Sequence, residues 1–165
     1  MGTIGNLNVQ GSVNTFNQGY IGNYNASGNA AMQNNGHVQN AYMTDRTQTQ
    51  NNGSMANVKL FGGNGDVVNF QNNGSVNNLD AEVFSPANTG FINIANNGFM
   101  NNVKMFDNVP VPPPPRGGGD LITLNNAGHI NNVNAGTAGA GQNNIFNSGS
   151  IDSLFAWGNT NIWNA

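Results

Sequence analysis

The sequence contains no cysteine, few charged residues and no long apolar run. Without cysteine, disulfide cross-links and thiolate metal sites are excluded. Lys and Arg together number 4 and Asp and Glu number 7, for a net charge of −3 at pH 7, whereas nucleic-acid binding needs clustered basic side chains. No apolar stretch approaches the roughly 18–20 residues that cross a membrane as a helix. We therefore expect no nucleic-acid partner and no membrane insertion.

Asparagine and glycine dominate instead, with 37 Asn and 23 Gly in 165 residues, and they recur in one phrase. The phrase is clearest at 71–81, which reads Gln-Asn-Asn-Gly-Ser-Val-Asn-Asn-Leu-Asp-Ala. The first three steps between copies are 17 residues each, and an apolar residue stands two positions after each glycine. Disordered tracts have no reason to keep apolar residues in register, so the repeat indicates a folded chain. The glycines of this main series are Gly2, Gly19, Gly36, Gly53, Gly74, Gly98, Gly128 and Gly149.

A second, weaker phrase lies between the copies of the main one, beginning near Gly11, Gly28, Asp45, Gly65, Gly90, Gly119, Gly141 and Gly158. It places an apolar or small residue two positions on, at Val13, Ala30, Val67, Ile92 and Leu121. Two short strands per repeat cannot bury a core alone, whereas stacked repeats can share one. The sequence therefore predicts an all-β fold, a β-solenoid of about eight two-strand rungs with a 17-residue basic repeat, as a single domain over residues 1–165.

Equivalent asparagines lie directly above one another in a parallel stack, where their amides can hydrogen-bond along the axis. The repeat predicts two such ladders. The first consists of Asn17, Asn34, Asn51, Asn72, Asn96, Asn126 and Asn147, and the second of Asn23, Asn40, Asn57, Asn78, Asn102 and Asn132.

Variation in repeat length is confined to one of the two junctions in each rung. Insertions are expected near 61–64, 80–89, 105–118 and 134–140, along one edge of the rod, and loops on one face of a repeat array often form its binding face. The longest holds Pro110, Pro112, Pro113, Pro114, Pro115 and Arg116, which we take as a candidate loop for lateral or partner contacts. The other interpretation is that the insertions are neutral and their charges only keep the rod soluble.

Catalytic and metal-binding patterns are weak, so we expect no enzyme and no cofactor. His37 and His129 occupy equivalent positions four rungs apart and are expected to face outward rather than to share a metal. Asp80 and Glu82 are close enough to suggest paired carboxylates, but their position at the start of an insertion favours solvated loop charges. Neither end of the chain shows a capping helix, and Trp157 and Trp163 lie in the final rung. Uncapped rungs with these aromatics suggest head-to-tail stacking.

The phrase Asn-x-Gly-x-apolar-x-Asn, as at Asn126–Asn132, resembles the repeats of filamentous-haemagglutinin-type bacterial adhesins. The stretch from Gln50 to Asn57 is similar to curlin repeats, at the level of architecture. This resemblance implies a secreted subunit that polymerises with itself into an extracellular biofilm fibre or functional amyloid on the cell surface. No basic region followed by an apolar stretch opens the chain, so a secretory signal is not visible. Two alternatives stay open: a virion fibre or capsid-decorating subunit, and a carbohydrate-binding or adhesive module.

Overall fold

A computed structural model describes residues 2–84, 89–108, 120–138 and 141–165. These residues form β-strands joined by turns, and no helix among them is long and apolar enough to cross a membrane. The strands are β1 Thr3–Gln10, β2 Asn14–Asn17, β3 Tyr20–Ser27, β4 Ala31–Asn34, β5 His37–Thr44, β6 Gln48–Asn51, β7 Ser54–Gly62, β8 Val67–Asn72, β9 Ser75–Val83, β10 Phe91–Asn96, β11 Phe99–Asn108, β12 Leu121–Asn126, β13 His129–Ala138, β14 Gln142–Asn147, β15 Ser150–Trp157 and β16 Thr160–Asn164.

The strands alternate between two eight-stranded sheets, so that the chain winds as a β-solenoid. Odd-numbered strands form the first sheet in the order β1-β3-β5-β7-β9-β11-β13-β15, and even-numbered strands form the second in the order β2-β4-β6-β8-β10-β12-β14-β16. Neighbouring strands are parallel, and each residue pairs with its equivalent in the next repeat, as Asn40 does with Asn57. The predicted parallel stack of repeats is confirmed. Seven steps of about 4.8 Å make a rod about 34 Å long.

The hydrophobic core runs between the two sheets for the length of the rod. In the first sheet it contains the apolar column predicted two positions after each main glycine, which is buried in the interior rungs at Ile21, Val38, Met55, Val76, Met100 and Ile130. The second sheet faces it with Met32, Thr49, Phe70, Ile94, Leu124 and Ile145. Each repeat contributes too few side chains for a core of its own, so stability depends on contact between rungs.

Strands of the first sheet bend where their in–out alternation is interrupted. In β3, Ile21 and Tyr24 are both buried, and the two residues between them, Gly22 and Asn23, face outward. A regular strand would place only one outward residue between two inward ones. The same interruption recurs in β5 and β7 at the equivalent position. The repeated bend makes part of this sheet concave toward solvent.

The main-series glycines are required by the close approach of stacked backbones. A Cβ on Gly53 would overlap the carbonyl oxygen of Gly36 in the rung below, and the other interior members of the series meet the same obstacle. Positive φ angles occur instead in the second phrase, for example at Gly28 and Asp45. The two glycine series therefore serve different purposes, steric in one and conformational in the other.

Strands of the first sheet extend into all four of the ranges that the sequence assigned to insertions. β7 continues to Gly62, β9 to Val83, β11 to Asn108 and β13 to Ala138, and these extensions pair with one another across rungs. The predicted starts at 61, 80, 105 and 134 were therefore too early, because inserted residues first lengthen the sheet before the chain turns. Asp80 and Glu82 consequently lie on strand β9 and not in a loop.

The second phrase was placed one residue out of register in two repeats. Val68 and Ile122 are fully buried, whereas Val67 and Leu121, the predicted positions, are only partly buried. The reason is visible in the backbone pairing, where Phe91 donates its N–H to the carbonyl of Asp66 and Leu121 to that of Gly90. An aspartate, not the preceding glycine, occupies the turn position at 66 and 120.

Candidate functional site

The first asparagine ladder is buried and continuous along the rod. Asn34 donates from Nδ2 to Oδ1 of Asn51 at 2.8 Å, and Asn51 donates to Asn72 at the same distance. The same bond recurs at every step from Asn17 to Asn164, between 2.6 and 2.8 Å. Asn34, Asn51, Asn72 and Asn96 are completely inaccessible to solvent. A buried amide is stable only when its polar atoms are paired, and this arrangement pairs both.

Each ladder asparagine also closes the turn that follows it. The N–H of Gly36 donates to Oδ1 of Asn34 at 3.2 Å, two residues back, and Nδ2 of Asn34 reaches the carbonyl of Gly36 at 3.3 Å. This geometry explains the Asn-x-Gly spacing at the invariant junction, because the side chain mimics a backbone turn. The same residue type thus specifies the turn within a rung and the bond to the next rung.

The second predicted ladder is exposed. Asn40 donates to Asn23 and Asn57 donates to Asn40, each at 2.9 Å, and the row continues from Asn6 to Asn132. Both predicted ladders are therefore confirmed. Shorter rows that the sequence reasoning missed add to them, at Asn35, Asn52, Asn73 and Asn97 and at Asn77, Asn101 and Asn131.

His37 and His129 belong to an outward column that also contains aromatic and serine side chains. His37 stacks on Tyr20, with ring centroids 5.3 Å apart, and its Nδ1 lies 2.7 Å from Oγ of Ser54. His129 stacks on Phe99 at 5.6 Å in the same way. Side chains in this column therefore contact the side chains at the same position in the next rung. Within the part of the chain that the structure describes, no group of three potential metal-ligating side chains is found.

Several charged side chains bond to groups in the neighbouring rung. Asp45 accepts the N–H of Gly28 at 2.9 Å, and the buried Asp120 accepts that of Gly90 at 2.8 Å. Lys104 approaches Asp80 at 3.6 Å, and Lys59 approaches Glu82 at 3.4 Å. These contacts join adjacent rungs. The recurrence of Asp45, Asp66 and Asp120 at equivalent turns was the sequence pattern that could have predicted the structural role of these aspartates. The paired carboxylates are thus separate ion-pair partners.

A groove follows the rod along the concave part of the first sheet. The exposed asparagine ladder forms one wall, and the other wall contains Tyr42, Lys59, Lys104 and Phe155. The groove encloses about 950 Å³. The sequence did not predict it, because the concavity arises from the bend at Gly22–Asn23 and its equivalents.

The outermost rungs expose apolar side chains of two kinds, core residues such as Ile4, whose interior equivalent Val38 is buried, and outward residues such as Phe16, whose interior equivalent Gln33 is also exposed. On the β1–β2 rung, Ile4 is 45% exposed and Phe16 is 58% exposed. On the β15–β16 rung the exposed apolar side chains are Leu154, Phe155, Trp157, Ile162 and Trp163. Trp163 stacks on Phe146 with ring centroids 4.4 Å apart, which leaves its other face open. Trp157 covers Gly136 and tilts against Phe106.

The candidate proline-rich contact loop lies outside the described residues, since Pro110, Pro112–Pro115 and Arg116 fall between Asn108 and Asp120. Comparisons with protein-family models, with curated proteins and with solved structures each found no match. The class of the protein is therefore defined by its fold. It is a β-solenoid repeat protein with stacked asparagine ladders.

Proposed function

We propose that this chain is a non-enzymatic structural protein whose copies associate end to end into an extracellular fibre. The observation that carries the proposal is the chemistry of the two outermost rungs. Each has strands with hydrogen-bonding partners on one side only, since β1 pairs with β3 and β15 with β13. An unpaired strand edge is a template for another strand.

The edge strands lack the features that normally prevent such pairing. Soluble β-proteins protect edges with lysine, proline or inward-pointing charge. The sequences of β1, β2 and β16 carry neither charge nor proline, and β15 carries only Asp152. Apolar side chains at both ends add a hydrophobic contribution to association. Together these features favour self-association over a monomeric state.

Electron microscopy and light scattering of the purified chain at neutral pH test the proposal. We expect unbranched filaments a few nanometres wide, with a single solenoid as the thinnest element. A species that stays monomeric at high concentration would contradict the proposal. As a control, Ile162→Lys and Phe16→Lys place charge on the two edges and should reduce assembly while the far-ultraviolet circular dichroism spectrum stays that of a β-protein.

The groove favours a second function, the binding of a neutral polysaccharide chain. Its amide wall offers donors and acceptors at every rung, and Tyr42, which is 41% exposed, offers a ring for stacking on a sugar. Binding of soluble neutral glycans, measured by calorimetry for the wild type and for Tyr42→Ala, tests this function. A loss of affinity in the variant supports it, and absence of binding to any neutral glycan in a broad panel contradicts it.

A further inference from the structure

We propose a specific joint between copies, in which β15 and β16 of one copy pair with β1 and β2 of the next in the register that already relates neighbouring rungs. The partner is a second copy of this chain. Across the joint, Ser150 would lie over Thr3, Ile151 over Ile4 and Trp163 over Phe16. This inference rests on the proposed function and adds the contacts that define the fibre repeat.

The register follows from the columns of the structure. Thr3 belongs to the column of Tyr20, His37 and later Ser150, because each pairs with the next at its Cα. The step from Asn17 to Asn34 and the step from Asn147 to Asn164 are both 17 residues. The rungs at the two ends therefore have the same length, and one can follow the other without a change of shape.

Aromatic side chains are concentrated at the two ends of one outward column. The interior members of this column are polar or small, at Gln33, Gln50, Gln71, Ala95 and Asn125. At one end stands Phe16, and at the other end Phe146 and Trp163 stack with an interplanar angle of 8°. In the joint, Phe16 of the next copy would cover the open face of Trp163, so that three rings form one stack.

The core columns and the buried ladder would continue across the same joint. Ile4 is 45% exposed, whereas its interior equivalents Val38 and Met100 are completely buried. In each interior rung Oδ1 of the ladder asparagine accepts from the rung before it, as Asn34 accepts from Asn17. A preceding copy would supply Asn164 to Asn17 in this role. The joint therefore completes the edge rungs with the contacts that interior rungs already have.

The joint must be head to tail. Parallel pairing places every strand in the same direction as its neighbour, and a two-fold related, head-to-head contact would make the pairing antiparallel. A head-to-tail contact uses two different surfaces and does not close when successive copies are related by a translation along the rod with a small twist. An open filament follows from this geometry.

Paired cysteine substitutions test the register. Thr3→Cys combined with Ser150→Cys places thiols at opposite ends of one chain, about 34 Å apart, beyond the reach of an intramolecular disulfide. Since the chain has no cysteine of its own, only these thiols react. We expect mild oxidation of assembled protein to give a series of covalent oligomers. Asn8→Cys with Ser150→Cys is the matched control, and its yield should be at least tenfold lower.

Gly2→Ala tests the joint by a steric route. A Cβ on Gly2 meets no atom within the chain, but a Cβ on Gly19 would overlap the carbonyl oxygen of Gly2. Across the joint, alanine at 2 would overlap Gly149 of the preceding copy in the same way. We expect an unchanged thermal unfolding temperature for the unassembled protein and at least a tenfold rise in the concentration needed for assembly. Gly5→Ala is the control, because Ala56 and Asp152 already carry a Cβ in its column.

The results of these experiments distinguish the proposed register of the joint from the proposed assembly into a fibre. Filaments that form without the Thr3–Ser150 cross-link, or with the Asn8–Ser150 cross-link at equal yield, would overturn the register and leave the proposed function standing. Normal assembly of Gly2→Ala would do the same. A wild-type chain that forms no filaments would overturn both. If Gly2→Ala fails to fold, the cysteine pairs alone decide the register.

Discussion

Asparagine stabilises this solenoid in two environments that differ in their energetic weight. In the buried ladder, each amide is removed from water and depends on its neighbours in the rungs above and below. In the exposed ladder, water competes for the same groups. An unpaired buried polar group costs about 1–3 kcal/mol, whereas an exposed hydrogen bond contributes little.

Asn51→Ala should therefore lower the free energy of unfolding by about 1–3 kcal/mol, because it removes the donor to the buried Oδ1 of Asn72, whereas Nδ2 of Asn34 keeps its bonds to the carbonyls of Gly36 and Ser54. Asn57→Ala, in the exposed ladder close by, should cost less than about 0.5 kcal/mol. Urea unfolding followed by far-ultraviolet circular dichroism measures both variants. An equal loss of unfolding free energy in the two variants would show that burial does not determine how much a ladder asparagine contributes to stability.

Tyr24 gives the fold a sensitivity to alkaline pH. Burial raises the pKa of its phenol, and the Thr15 side chain only partly offsets this. The folded state thus favours the neutral form, and the stability that depends on it is present below the ordinary pKa of about 10 and lost as the pH rises above it. Unfolding in urea at about pH 7 and pH 11 should show a smaller alkaline loss for Tyr24→Phe than for wild type. Tyr42→Phe, at an exposed position, should behave as wild type, and an unchanged loss in Tyr24→Phe would contradict the assignment.

For individual residues, the sequence was sufficient to predict the two long asparagine ladders, because their asparagines recur at the same position of successive repeats. It was insufficient for the partial rows, such as Asn35 to Asn97, which occupy only some rungs. The misplaced core residues Val67 and Leu121 have a physical cause. Aspartate can occupy a turn position by accepting a backbone N–H, so glycine spacing alone did not identify the turn.

Strand elements in the first sheet absorb part of each insertion. β1, β3 and β5 have 8 residues each, whereas β11 and β13 have 10. Added residues continue the pairing between adjacent rungs before the chain leaves the sheet. This is why sequence reasoning located the insertions at the correct junction but placed their starts too early. A pairing between two irregular segments leaves no fixed spacing in the sequence.

Replacing residues 109–119 by a two-residue Gly-Ala connector should leave the fold intact. Asn108 pairs with Ala138 and Leu121 with Gln142, and in the neighbouring rung the chain passes from Ala138 to Gly141 with only two residues between them. Loop closure favours the shorter connection by about 1 kcal/mol, so the unfolding midpoint should stay equal or rise. Calorimetry measures this. A large fall in the midpoint would show that the insertion supports the rod.

The same replacement tests the candidate partner-contact loop. If Pro110 to Arg116 mediate lateral contacts, the shortened chain should still form single filaments by electron microscopy but should no longer form bundles. Unchanged bundling would remove this loop from the candidate contacts. The end-to-end joint uses other residues and should be unaffected.

For the molecule as a whole, the repeat was sufficient to predict the architecture. A 17-residue repeat is too short to bury a core by itself, so the repeats must stack and share one. The groove was not predicted, although the strand bend on which it depends leaves a signal in the sequence, because the buried residues on either side of the bend, such as Ile21 and Tyr24, are three positions apart instead of two. The aromatic ends were only partly predicted. Trp157 and Trp163 were noted, but the complementarity of Trp163 and Phe16 requires the column register.

X-ray diffraction from aligned filaments tests the central claim most directly. If copies stack end to end as one continuous solenoid, strands lie perpendicular to the filament and successive rungs repeat along it. We predict a sharp reflection at about 4.8 Å along the filament axis. A reflection of this spacing perpendicular to the axis, or filaments without it, would contradict the account.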